Sequence, residues 1–220
     1  MNKKLLIVIL IGLLIAAVAV NIYQYTMNVE VTREKDAAKT QLEMKTLLAE
    51  VQAQINGELE SLDAALMDAC SKLSTLGLSG VQARIVLSEL VANNSLIVNA
   101  ATADANDVLV AVEPSNYSNI EGIDIKDQEQ NIHMHQTMRP AMSDMIPLVE
   151  GFPGVVMVSP IFDVNNKMIG SLSIVIQPRA LIQQYVLPAI ADGSYSMWSM
   201  QTNGTLIFDP DPSQQDKNLL

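Results

Sequence analysis

Apolar residues run unbroken from Leu5 to Val20 and continue past Asn21 to Ile22 and Tyr23. Leu5–Tyr23 reaches the lower end of the roughly 17–25 residues that a membrane-spanning helix uses. Lys3 and Lys4 precede the run, which favours a cytoplasmic N-terminus, and Tyr23 and Tyr25 suit the outer interface. A rival reading is a cleaved signal peptide, because Ala17-Val18-Ala19 forms a small-x-small site; the length of the run favours a retained anchor. Farther along, Met44, Leu48, Val51, Ile55, Leu59, Leu62, Leu66, Ala69, Leu73 and Leu76 fall at alternating steps of three and four, with an extra four at Ile55–Leu59. That is a heptad pattern with a stutter. It predicts one long helix from about Val29 to Leu76, stopped by Gly77. The stripe serves either as a seam with a second copy or as a face against the chain's own domain. The expectation is pairing for the membrane-proximal half and docking on a sheet for the distal half.

The pattern then shortens. Gly80 to Ala92 reads as a helix ending at Asn93-Asn94. Leu96–Val98 and Val108–Val112 read as strands around a polar turn at Asp104–Asp107. Pro114–Gly122 reads as a loop whose single aromatic is Tyr117. Asp127–Met138 is a predicted helix stopped by Pro140. Strands are predicted at Val155–Phe162 and Met168–Ile176, a helix at Arg179–Tyr185, and a last strand pair at about Ser194–Gln201 and Thr205–Phe208. This order predicts an α+β fold, an antiparallel sheet with helices on one face.

Charge then narrows the partners. All 24 acidic residues lie beyond residue 24, with every basic residue except Lys3 and Lys4. A surface so acidic repels nucleic acid and anionic headgroups. Cys70 is the single cysteine, so no intrachain disulfide forms and the core rests on apolar burial. Sequons at Asn93, Asn116 and Asn203 are compatible with an exterior location.

Several phrases carry a family resemblance. They are Ile120-Glu121-Gly122-Ile123-Asp124-Ile125, Arg139-Pro140-Ala141-Met142-Ser143, Val155 through Asp163, and Lys167-Met168-Ile169-Gly170-Ser171-Leu172. In this order, behind an apolar N-terminus and a long helix, they resemble the Cache (PDC, PAS-like) extracytoplasmic sensor family over roughly Leu47–Leu220. The resemblance implies two stacked lobes, the distal one binding a small ligand, and a return through a second membrane helix to a cytoplasmic output. It implies four segments: residues 1–25 as membrane anchor, 26–78 as stalk helix, 79–190 as a PAS-like ligand-binding lobe, and 191–220 as a partial membrane-proximal lobe. The last segment resembles a double-Cache second lobe left incomplete. Its Asp216-Lys217-Asn218-Leu219 phrase has Asp where the family usually has Gly. An unfinished lobe would expose a strand edge that invites another chain.

For ligand chemistry, Arg139 stands out among Met134, Met138, Met142 and Met145, since a guanidinium on an apolar wall suits a carboxylate. The plainer reading is an Arg that pairs with an acid or snorkels to water. Tyr117, Met157, Ser159 and Asp163 are its expected companions in a pocket. Asp163 would suit an amine, and equally suits the opening of a turn. His133 and His135 point about 200° apart on a helix and so share no metal there. Asp209, Asp211, Ser213 and Asp216 are spaced like a calcium loop, but prolines interrupt them and they read as a surface turn. Cys70 reads as a buried small hydrophobe. No nucleophile elbow or phosphate loop occurs, so no enzyme chemistry and no cofactor are expected.

The reading is therefore a single-pass membrane protein with residues 24–220 extracytoplasmic. It would sense a small organic metabolite, with carboxylates and amino acids as candidates. A stalk-mediated homodimer and a separate signalling partner are compatible with it. The alternatives are a non-sensing coiled-coil adaptor that recruits a partner, and the front fragment of a sensor kinase or chemoreceptor.

Overall fold

The computed structural model describes residues 3–193, 195–214, 217 and 219, with side-chain surroundings given from Val18 onward except at Ala19 and Pro212. Helix α1 spans Lys3–Leu76 without a break. The chain divides into two compact units, Met1–Glu50 and Val51–Leu220. The first unit consists of the N-terminal part of α1. Most of its described apolar side chains, among them Val31, Leu42, Met44 and Leu48, are exposed, while Val29 and Leu47 are half-buried. Among the described residues no helix is long and apolar enough to cross a membrane. The expected anchor at Leu5–Tyr23 falls mostly on side chains outside that description.

The second unit is α+β. After α1 come α2 (Gly80–Ala92), β1 (Ile97–Asp104), β2 (Leu109–Glu113), a 3-10 segment (Ser115–Ile120) and α3 (Glu129–Thr137). Two-residue strands β3 (Ala141–Met142) and β4 (Ile146–Pro147) precede the long hairpin of β5 (Pro153–Phe162) and β6 (Met168–Ile176). The antiparallel sheet has the order β2-β1-β6-β5-β3, with β4 also paired to β5. A short helical passage, α4 (Pro178–Leu181), a π turn at Ile182–Val186 and α5 (Leu187–Ala189), leads to the small hairpin β7 (Ser199–Met200) and β8 (Leu206–Phe208).

Local chemistry explains the punctuation. Gly77 adopts φ +86° and its N–H donates to the Leu73 carbonyl at 2.9 Å, the left-handed ending that glycine accepts without a Cβ clash. The β1–β2 and β5–β6 turns are built alike. In each an aspartate, Asp104 or Asp163, accepts two backbone N–H bonds through Oδ1: from Asn106 and Val108, and from Asn165 and Lys167. In each the fourth residue, Asp107 or Asn166, is left-handed at φ +60° or +59°. Asx side chains tolerate that conformation and mimic a backbone turn.

The two sheet faces differ because strand side chains alternate. One face carries Ala100, Val155, Met157, Ile161, Leu172, Ile174 and Ile176, packed on Leu62, Leu66, Ala69 and Leu73 of α1 and on Ala83 and Leu87 of α2. Leu62, Leu66 and Leu73 have no solvent exposure. Each such burial is worth about 1.5–3 kcal/mol. The other face carries Ala101, Ala103 and Val175 and is covered largely by loops. The expectation of helices on one face holds for α1 and α2. Helix α3 is instead tied to the loop side: the Asn131 Nδ2 donates to the Ile125 carbonyl at 2.8 Å, and His135 Nε2 lies 2.8–2.9 Å from both Asp107 oxygens.

Candidate ligand-binding site

A narrow, nearly closed cleft of about 20 Å3, room for little more than one water molecule, lies on the loop-covered face. Its floor is Ala101 from β1, Val156 from β5, and Ser173 and Val175 from β6. Its walls are Leu109, Ile125 and Gln128 on one side and Leu148, Val149 and Glu150 on the other. What space there is lies over the two small floor residues, Ala101 and Ser173. Two apolar clusters close in around it. One is Ala101, Ala103, Leu109, Val112, Ile120 and Ile125, with Tyr117 packed on it. The other is Leu148, Val156 and Val175, with Phe152 packed on it. Tyr117 and Phe152 meet edge to face at 6.3 Å between ring centres and join the two clusters.

The wall from Ile120 to Ile125 is fixed by backbone bonds. The Leu109 N–H donates to the Ile123 carbonyl, the Gly122 N–H to the Leu109 carbonyl, and the Ile125 N–H to the Asp107 carbonyl. Arg84 on α2 clamps this wall from outside. Its guanidinium lies 3.1 Å from Glu113 Oε1 and 2.7 Å from Glu121 Oε1, and these carboxylates hold its pKa above the ordinary value. The opposite wall, residues 146–152, is held by Asn99, whose Nδ2 donates to Glu150 Oε1 at 2.8 Å.

The five residues singled out from sequence do not converge. Tyr117 borders the cleft region through its contact with Phe152. Met157 and Ser159 project from β5 toward α1: Met157 belongs to the cluster with Leu66, and the Ser159 hydroxyl donates to Met67 Sδ at 3.4 Å. Strand alternation put them on the face away from the cleft, with Val156 on the cleft side. Arg139 is exposed just beyond α3, after Met138 in a left-handed conformation at φ +53°. Asp163 opens the β5–β6 turn, and the backbone N–H bond from Lys167, then that from Asn165, holds its carboxyl below the ordinary range. Its bonding is that of the turn-opening alternative.

Other candidates are placed as follows. Among the described residues no three His, Cys, Asp or Glu side chains group to hold a metal. Asp211 accepts the Ser213 N–H at 2.9 Å and caps a 3-10 turn at Pro212–Gln214; Asp216 lies outside the described residues. Cys70 is buried, and burial pushes its thiol up to about 11. A larger groove of about 550 Å3 lies between α1 and α2, but it is lined by Ser61, Asp68, Lys72, Glu89 and Asn93 in an open surface setting. Sequence reasoning missed Glu150, Asn99, Gln128 and Ser173. The available signal was the run of small and polar residues from Asn99 to Asp104 in a central strand.

Comparison with known proteins fixes the family. A model of the sensor domain of HK/GC/chemotaxis protein-like proteins matches residues 57–178, more than half of the chain. The chain belongs to this family. In structure the sensor domain is similar to an extracellular ligand-binding receptor from Desulfohalobium retbaense DSM5692, at 33% identity and a TM-score of 0.74. That match covers 79% of this chain, which spans 32% of the receptor's length. The fold is shared with the ligand-binding domain of the Pseudomonas fluorescens chemoreceptor CtaA, solved in complex with L-serine, at 12% identity and a TM-score of 0.57, covering 84% of this chain and 78% of that one. It is also shared with that of the Pseudomonas aeruginosa PAO1 amino acid chemoreceptor PctC, solved with GABA, at 14% identity and a TM-score of 0.58, covering 80% and 76%. No curated protein matches the chain in sequence. The Cache-like reading of the sequence and the sensor-domain family thus agree.

Proposed function

We propose that this sensor domain is the extracytoplasmic, ligand-binding front of a membrane receptor, anchored by Leu5–Tyr23. Residues 79–190 form its ligand-binding lobe and the β7–β8 hairpin opens a second one. The cleft over Ala101, Val156, Ser173 and Val175, nearly closed here, takes a small organic molecule when its loop walls part. The observation that carries the reading is this cleft, mostly apolar with Gln128, Glu150 and Ser173 as its polar groups, on the sheet face turned away from α1, in a chain of a sensor family. Signalling follows if the ligand prefers one arrangement of the walls, since only differential affinity shifts such an equilibrium. The neighbours solved with L-serine and with GABA support a ligand of that size.

Thermal denaturation of the full chain in detergent micelles, run against a metabolite library, tests the reading. A ligand at a hundredfold excess over its Kd raises the Tm by about 5–10 °C. Val149, exposed and lining the cleft, gives the control. Val149→Trp should leave the basal Tm within about 1 °C and remove the ligand-induced rise. Stabilisation that survives this substitution places the ligand elsewhere, and a library without a single stabiliser sinks the ligand reading.

A further inference from the structure

Beyond the cleft, we infer that a second cavity, at the end of the sheet where β5 begins and β6 stops, binds a small aromatic carboxylate. Arg179 holds the acid group, and Phe152 and Met145 take the ring. The site stands whether or not the cleft binds anything. The cavity holds about 160 Å3, against about 20 Å3 in the cleft. At about 30 Å3 for each water in the liquid, that is space for about five waters, the size of a small organic acid.

Three segments build the wall. Met145 precedes β4, Phe152 and Pro153 lead into β5, and Gln177, Pro178 and Arg179 pass from β6 into α4. Two of these segments are hooked to the β7–β8 hairpin. The Met145 N–H donates to Gln201 Oε1 at 2.6 Å, and the Met145 carbonyl accepts from Gln201 Nε2 at 3.3 Å. Gln201 is 9% exposed. On the other side, Arg179 Nε donates to the Ile207 carbonyl of β8 at 3.1 Å. A cavity whose walls are already fixed costs little to order when a ligand enters.

The lining sets the ligand class. Arg179, half-buried, is its one charged residue, and among the described residues the lining contains no acid. In a chain with 24 acidic residues and 13 basic ones, the cavity is thus a local cationic spot. A guanidinium binds a carboxylate through two parallel N–H bonds, and the Ile207 bond holds its plane. Pro153 and Pro178 have no N–H to offer, so the choice of charge falls to Arg179. The Phe152 ring and the Met145 thioether favour a flat aromatic body.

The position also gives a ligand leverage. Phe152 packs on Leu148, Val156 and Val175 beside the cleft, and Arg179 opens the helical passage whose Ile182 and Val186 pack with Val51 of α1. An acid bound between them touches both the cleft cluster and the passage to α1.

Isothermal titration of the full chain in detergent micelles tests the site. The probes are benzoate and phenylacetate, with benzamide and benzylamine as neutral and cationic forms of the same ring. Binding by the acids alone is the expected result. Gln177→Trp, at an exposed lining position, should leave the basal Tm within about 2 °C and abolish acid binding. Arg179→Gln should weaken acid binding at least about tenfold, and Arg179→Lys, which keeps the charge without the planar fork, should recover only part of it. Should Arg179→Gln lower the Tm through its lost bond to Ile207, Gln177→Trp decides the matter alone. Val149→Trp should leave acid binding unchanged, which separates this cavity from the cleft. Full acid affinity in Gln177→Trp overturns the site, as do full affinity in a folded Arg179→Gln, equal binding of benzamide or benzylamine, and no acid binding at all. Acid binding that is lost in Val149→Trp and kept in Gln177→Trp moves the acid to the cleft, overturning this site and leaving the cleft reading intact.

Discussion

The two faces of the sheet are made by the same strands, yet one packs on two helices and the other, under loops, holds the candidate cleft. Toward α1 and α2, Leu172, Ile174 and Ile176 alternate with Ser171, Ser173 and Val175, which turn to the loops. The apolar face fills its space with branched side chains against two helices. The loop face sets Ala101 and Ser173 beside Val156 and Val175 and brings polar groups from Asn99 and Glu150.

That contrast can be broken most severely at Gly170, where the two sides meet. A Cβ there would land on the Ala103 carbonyl oxygen and 2.5 Å from Leu78 Cδ1. Backbone cannot move aside cheaply, so Gly170→Ala should cost more than about 3 kcal/mol, read as loss of the cooperative transition or a fall of the denaturant midpoint. Next come the faces themselves. Leu66→Ala on the helix side should cost about 2–5 kcal/mol, while Ser173→Ala in the cleft should cost less than about 1 kcal/mol. Equal losses in chemical denaturation would erase the distinction between core and site.

A smaller effect belongs to Arg84. Removing it leaves Glu113 and Glu121 without their cation, and Glu121 also accepts the Val112 N–H at 3.0 Å. Arg84→Ala should cost about 1–2 kcal/mol and speed amide exchange in 120–125 more than in β6, measured by hydrogen exchange. Uniform exchange across both segments would mean that Arg84 does not hold the cleft wall.

A pH-dependent effect, absent at neutral pH, sharpens the helix side. Burial raises the Cys70 thiol to about 11 from 9.0, so the folded state holds that proton more tightly than the unfolded chain. Its contribution is fully present below pH 9 and is lost as pH rises toward 11, amounting to about 2–3 kcal/mol at most. Cys70→Ala should flatten this part of the stability–pH profile, compared with wild type by denaturation at pH 8, 9 and 10. Parallel profiles for the two proteins would show that the thiol is solvated.

Much of the fold was legible because it rests on local rules. The end of α1 before Gly77, the limits of α2 and the β5–β6 hairpin follow from period, cap and turn chemistry, and all appear where those rules put them. Strand β1 was legible only at its start: Leu96–Val98 reads as strand, but Asn99–Asp104 has weak strand preference and is held by pairing with β2 and β6 on either side. Met157 and Ser159 show the limit for the site. Their identities were compatible with a pocket, and only the register of β5 against β6, Met157 opposite Ile174 and Ser159 opposite Leu172, decided that they face α1.

The sequence by itself thus determined the order of elements, the long helix, the paired Asp-headed turns and the family, because each depends on neighbours a few residues apart. The tertiary structure alone decided the lining of the candidate cleft. Asn99 and Glu150 are 51 residues apart, and Gln128 comes from a wall loop while Ser173 comes from the floor strand β6. Their meeting is set by which side of each strand faces the loops, and that depends on long-range pairing that no local pattern encodes.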